Sequence, residues 1–397
     1  MKVFTMFMFV MIFISACGSN KNNEKNDTDS LLIADSDQNN ETVDSIANEN
    51  IAEADDETTD EAFDEDIDET IDENQDKEVD EEGSDIDADV TDTENGKVIC
   101  TGQTKCYNDT EEIVCPESGE RYSGQDSQYI EKCIPKSYTV SGSDGNDIVT
   151  DNNTGLIWQR TLPEIYNGCT AGDPVGSMCT WQEAVNYCSD LNYGGFDDWR
   201  LPERKALASI TDYGKSDPSI DSDVFLDTPV SWFLSSLRFV VDSASVWSVY
   251  SGLGTVDTRK NTDATYVRCV RGFSIPESSF NEYAIEWKIV VKDMTTKLEW
   301  AKEGISGGTW EAVLNYCENL EYAGYKDWRL PNINELSTLF YDRAYEPASY
   351  FPGMYSDYFW SSSSAVSANH AAWRVNFFAG GADLGGKEEK LYAICVR

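Results

Sequence analysis

Apolar residues fall at helical spacing in two separate stretches of this chain. Trp181, Ala184, Val185, Cys188 and Leu191 share one face of a predicted helix, and Trp310, Val313, Leu314, Cys317 and Leu320 share one face of another. Thr180 followed by Glu183 gives the first helix a capping-box start. Ahead of each helix the period changes to two. Residues 148–150 and 156–158 flank the turn 151–155, and residues 290–292 and 298–300 flank the turn 293–296, so both read as β-hairpins. After each helix, Pro202 or Pro331 opens a second, shorter helix carrying Leu207 and Ile210, or Leu336 and Leu339. Strand-like, glycine-punctuated segments complete each set. The pattern predicts an α+β fold written twice.

The residues repeat as well as the pattern. Trp158, Trp181, Trp199, Trp232 and Trp247 recur in order as Trp300, Trp310, Trp328, Trp360 and Trp373. Asp198-Trp199-Arg200-Leu201-Pro202 returns as Asp327-Trp328-Arg329-Leu330-Pro331, and Arg268-Cys269-Val270-Arg271 as Ile394-Cys395-Val396-Arg397. A period this long indicates two tandem globular domains, since solenoid repeats run to roughly 20–50 residues. Asp198 with Arg200, and Asp327 with Arg329, read as charged pairs bracing a buried Trp next to a helix start.

The ordered set of hairpin, W-x(6)-C helix, DWRLP, aromatic-Ser-Ser, W-x-V and terminal C-V-R resembles the Lcl C-terminal domain family. The resemblance covers residues 138–272 and 283–397. Copy one departs from it with Ala206 in place of Glu335, and with the looser Trp232-Phe233-Leu234-Ser235-Ser236. The resemblance implies two tandem C-type-lectin-like domains of the formylglycine-generating-enzyme variety, whose late loops display a ligand face. It also implies binding rather than catalysis, since some relatives are adhesins for sulfated polysaccharides and others are hypervariable binding proteins. On that basis residues 361–390 are the candidate face in copy two, with Trp360, Ser361, Ser362, His370, Trp373, Arg374, Asn376, Phe378 and Asp383 as candidate ligand contacts. Aromatic rings beside adaptable polar groups suit a carbohydrate or a protein surface. In copy one the corresponding stretch offers Tyr250 and Arg259.

The front of the chain bears on where this happens. Residues 3–14 are almost unbroken apolar, too short to span a bilayer, and end in Ile14-Ser15-Ala16-Cys17. This looks like a lipoprotein signal with Cys17 as the acylated residue, and Gly18 after it favours the outer membrane, at the cell surface. Residues 18–97 hold 31 acids against 4 lysines, with no apolar period, and read as a disordered acidic tether. Two modules on such a stalk would gain from multivalency.

Cysteine usage fits export. Apart from Cys17 there are ten cysteines, an even number for an oxidising compartment. Repeat symmetry pairs Cys188 with Cys269 and Cys317 with Cys395. Cys169 and Cys179 occur only in copy one and pair locally. Cys100, Cys106, Cys115 and Cys133 form a small separate Cys-rich segment, residues 98–137, whose connectivity the sequence leaves open. With no C-x-x-C and only one histidine, His370, no zinc site is expected. No cofactor is expected either. Calcium is a weaker possibility at residues 144–153, which lack the closing glutamate of an EF-hand loop.

Charge narrows the partners. Copy one carries 18 acids and 10 bases and copy two 15 and 11, so nucleic acid is excluded as a partner. No nucleophile elbow or phosphate loop is present. The sequence therefore predicts a surface-anchored lipoprotein that binds a glycan or protein ligand and is not an enzyme. A passive envelope component is the alternative, and a carboxylate-based hydrolase a more distant one.

Overall fold

A computed structural model describes residues 98–142 and 145–397; the signal, Cys17, the acidic tether and Asp144 of the calcium candidate lie outside the described residues. All of the described residues belong to one compact unit. The architecture is mixed and mostly sheet.

Each copy opens with the hairpin its alternation predicts. Strands Tyr138–Ser141, Ile148–Asp151 and Ile157–Gln159 form an antiparallel sheet with Val270–Arg271, which directly follows Cys269. Copy two repeats this with Phe280–Ile285, Lys288–Asp293 and Glu299–Ala301, and Trp300 bridges to Val396. The two long helices, α1 (Trp181–Ser189) and α3 (Trp310–Glu318), follow, then the short helices α2 (Arg204–Ser209) and α4 (Ile333–Ser337). Disulfides Cys188–Cys269 and Cys317–Cys395 tie α1 and α3 to the closing segment of their own copy, and Cys169–Cys179 closes the insert.

The charged residues of the DWRLP element brace the fold differently from the expected pairing. Asp198 takes Arg271 (2.9 Å to Nη2) and Asp327 takes Arg397 (2.9 Å to Nε), so each aspartate anchors the last arginine of its copy. Arg329 instead makes two parallel 2.6 Å bonds to the buried Glu335 of α4. Copy one has Ala206 at that position, and Arg200 turns to Glu203 (2.6 Å) and the carbonyl of Gly272. The correction has a simple cause. In an extended Asp-Trp-Arg the two charged side chains flank the tryptophan on the same side, but each finds a better-placed partner across the fold.

The two copies are not beads on a string. Eight strands form one sheet, in the order Ile305–Gly308, Leu391–Ala393, Tyr358–Ser364, Ala371–Asn376, Ala382–Gly386, Thr255–Lys260, Ser245–Tyr250, Trp232–Arg238. The join is the antiparallel pair Ala382 and Val256, which are equivalent positions of the two copies, so a pseudo-twofold axis passes through it. Inner-face residues Phe233, Trp247, Val249, Val256, Phe359, Trp373, Val375 and Ala382 pack with Leu207, Ile210, Leu336 and Leu339 into one core shared by both copies. Across the axis Trp247 meets Phe340 edge-on (5.3 Å between centroids) and Tyr213 meets Trp373 (4.9 Å). Arg204 and Asp342 form an ion pair there, both fully buried, with the guanidinium 4.1 Å from the Phe340 ring centre.

The Cys-rich segment, held by Cys100–Cys133 and Cys106–Cys115, is not separate, as the sequence reading had it, but docks on copy two. Arg121 pairs with Glu311 (2.6 Å), Tyr129 with Glu318, and the buried Lys387 donates to the carbonyl of Asn108 (2.9 Å) while lying 4.1 Å from the Trp310 ring centre. Asp126 is enclosed between the hydroxyls of Thr101 (2.7 Å) and Ser363 (2.6 Å). Burial pushes its carboxyl up to about 6 against the opposing pull of those hydroxyls. A carboxyl raised in the folded state contributes stability that is complete below its unfolded pKa, about 3.9, and is lost as the pH rises through the folded value. Asp126→Asn keeps the acceptor without the charge. The stability of the native protein relative to this variant should therefore fall between roughly pH 4 and pH 6 and stay level above. Thermal unfolding midpoints of both proteins across that range check it.

Candidate functional site

Side chains directly opposite one another in a sheet share a face, and the next pair takes the other. The registers therefore fix what the large sheet shows to solvent. Tyr358 pairs with Asn376, and Trp360 with Arg374, which in turn pairs with Asp383, all on the outer face. In copy one Trp232 pairs with Tyr250, Ser248 lies between Leu234 and Asp257, and Val246 pairs with Arg259. The three strands from copy one match three of the five from copy two, which makes Trp232 the counterpart of Tyr358 and Leu234 that of Trp360. The sequence pairing of Trp232 with Trp360 is thus wrong by two residues. Trp181 and Trp310 confirm the corrected register, since their indole N–H groups donate to the equivalent carbonyls of Ser235 (2.9 Å) and Ser361 (2.8 Å).

The candidate residues divide accordingly. Trp360, Ser361, Ser362 and Trp373 are at most 2 % exposed and belong to the interior. Trp360 joins the core beneath α3 and donates to the Gly308 carbonyl (3.2 Å), Ser361 donates to the carbonyl of Trp373 (2.9 Å), and Trp373 faces inward against Tyr213. As aligned here they are unable to meet a ligand. His370 is exposed in a turn, and Phe378 is exposed against Tyr345 in a loop at the end of its strand. Arg374, Asn376 and Asp383 remain together on the outer face.

The helices cover that face at its two ends, where Leu234 and Val246 lie under α1 and Trp360 under α3. Around the pseudo-twofold axis it stays open. There each copy contributes a guanidinium laid over an aromatic ring: Arg374 is 4.2 Å from the Tyr358 ring centre and Arg259 is 4.4 Å from that of Trp232. Tyr250 leans on Trp232 at 5.3 Å. Such a stack combines a flat apolar surface with a row of donors.

The halves differ in what is already satisfied. Arg374 donates to Asp383 (2.7 Å) and Glu389 (2.6 Å), and these offset the burial that works against its charge, holding its pKa above the ordinary value. Burial pushes the Asp383 carboxyl up, Arg374 pulls it down, and Asp257 from copy one and Glu389 push it up further. Arg259 has no carboxylate in ion-pair range among the described residues, and its Nε is buried without a partner. Diagonally across from it, Ser248 is fully buried with its hydroxyl also unpartnered. Copy two fills the place of Ser248 with Arg374 itself. Copy one thus offers unused donors on an aromatic floor, and copy two a self-contained rim. Tyr358 and Asp257 escaped the sequence reading; aligning the Ser235-Ser236 pair with Ser361-Ser362, in place of the tryptophans, would have brought Trp232 and Tyr358 together.

No group of three or more metal-ligating side chains occurs among the described residues.

A duplicated, disulfide-bonded, mostly β unit with one exposed sheet face is the class of protein that these features define. The Lcl C-terminal domain model matches residues 147–271 and 289–397, and the chain belongs to that family. A search of the curated proteins finds no match.

Proposed function

We propose that this chain is a surface-anchored bacterial lipoprotein whose duplicated, C-type-lectin-like module binds a carbohydrate or protein surface through the open centre of the shared sheet. The observation that carries the reading is the pair of guanidinium–aromatic stacks on the two sides of the axis, one of them with unpaired buried donors. Buried polar groups left without partners are costly, and a ligand that supplies acceptors recovers that cost on binding. Trp232, Tyr250 and Arg259 are the contact residues in this proposal, with Tyr358, Arg374, Asn376 and Asp383 as the rim. The acidic balance of both copies disfavours nucleic acid as the ligand. Cys17 and the acidic tether would hold the module away from the outer membrane. The role proposed is binding, without catalysis.

A glycan-array and cell-surface binding screen of the full-length protein tests the proposal. Trp232→Ala and Arg259→Ala should each weaken saturable binding at least tenfold, the scale of an interface hot spot. Phe378→Ala, away from the sheet centre, should leave it unchanged. Binding that survives both copy-one substitutions would move the site elsewhere, and a folded protein that binds nothing would favour a passive envelope role.

A further inference from the structure

Copy one encloses a second, unrelated feature. Arg268 is 1 % exposed, yet every partner it has is neutral: Nη1 donates to the carbonyls of Gln159 (2.6 Å) and Arg160 (2.8 Å), and Nη2 to the hydroxyl of Thr228 (2.8 Å). The Asp227 carboxylate acts on it only from beyond ion-pair distance. A guanidinium has five N–H groups and does not lose its charge in a protein. Three are used. The two that remain, one on Nε and one on Nη2, have no hydrogen-bond partner among the described residues. Beside Arg268 and Thr228 is a cavity of about 30 Å³, walled otherwise by Leu207, Ile210, Phe233 and Val249 together with a few hydroxyl-bearing residues.

The duplicated fold supplies its own control. Copy two has Ile394 at the position of Arg268, and it is just as buried. The fold closes without a cation here, so the arginine is no requirement of the architecture. The Phe225 ring centre lies 5.3 Å from the guanidinium, but no counter-charge is in ion-pair range, and a buried charge without one is costly. We propose that the cavity holds a small monovalent anion of halide size, chloride in salt solution, bound to the free N–H groups of Arg268. Thr228 is not the ligand's donor, because its own hydrogen already goes to the carbonyl of Phe225 (2.9 Å). The cavity has room for about two waters, which is the scale of a halide. The apolar walls suit a large, weakly hydrated ion better than fluoride.

Crystals of the full-length protein grown or soaked in bromide test this directly. A bromide peak in the anomalous map beside Arg268 Nε and Nη2 is expected, and ordered water with no anomalous signal there would overturn the proposal. In solution, the unfolding midpoint at constant ionic strength should rise saturably when chloride or bromide replaces gluconate. Arg268→Met, which copies the apolar choice of copy two, should abolish that dependence. Halide dependence unchanged in the variant would place the ion elsewhere and also overturn the assignment. Should the variant fail to fold, the bromide map of the native protein still decides.

Discussion

Asp342→Ala should destabilise the folded unit by about 3–5 kcal/mol, the cost of stranding one member of a buried ion pair. Arg204 would keep its charge, surrounded by the Phe340 ring and the shared core, and its Nη2 already lacks a partner in the native protein. Urea unfolding followed by tryptophan fluorescence measures the loss. The decisive companion is the double variant Arg204→Met/Asp342→Leu, expected to recover most of the stability, because apolar residues of similar volume fill such sites without a desolvation cost. The pseudo-twofold axis provides the precedent. The counterparts of Arg204 and Asp342 on the other side are Ile333 and Tyr213, both buried in the same core. A double variant as unstable as the single one would show that the pair holds the copies together through its geometry and not merely by avoiding an orphaned charge.

The second large effect concerns Cys317 and Cys395. Both are fully buried, and their bond closes a segment with a sequence separation of 78 residues. Replacing both by alanine should cost about 4 kcal/mol on the chain-entropy account, plus the packing lost at two buried sulfurs. Removing Cys106–Cys115, with a separation of 9, should cost about 2–3 kcal/mol on the same account. Unfolding midpoints of the two double variants in denaturant rank them. The reverse order would mean that the short bond matters chiefly by holding the Cys-rich segment on copy two, through the carbonyls that receive Lys387.

Much of this architecture was legible in the sequence, and for identifiable reasons. Trp181 to Leu191 and Trp310 to Leu320 carry local information, a face every three or four residues, and local information survives without knowledge of the rest. Repeat symmetry likewise puts a helix cysteine opposite a closing-segment cysteine in each copy. The joint between copies was not legible, because it rests on residues that differ between them: Arg204 against Ile333, Asp342 against Tyr213. Nor was the fate of Trp360. Strand alternation sets it on the same face as Arg374, but only the long-range packing of α3 decides that one is covered and the other open. Of the nine candidate contacts, Arg374, Asn376 and Asp383 lie on the open face, while Trp360, Ser361, Ser362 and Trp373 are buried.

The edge-to-edge joint also changes how the duplication is to be counted. Two separately folded modules would act as two hands, each gripping on its own, and would gain from avidity. Here the open faces meet at the axis and make one continuous floor. On the proposed binding role, the expected stoichiometry is one ligand per chain. A homodimer of single modules would be obliged by its symmetry to present the same half twice. Fusing the halves in one polypeptide removes that obligation, so that one side can keep its arginine clamped by two acids while the other leaves its own unclaimed.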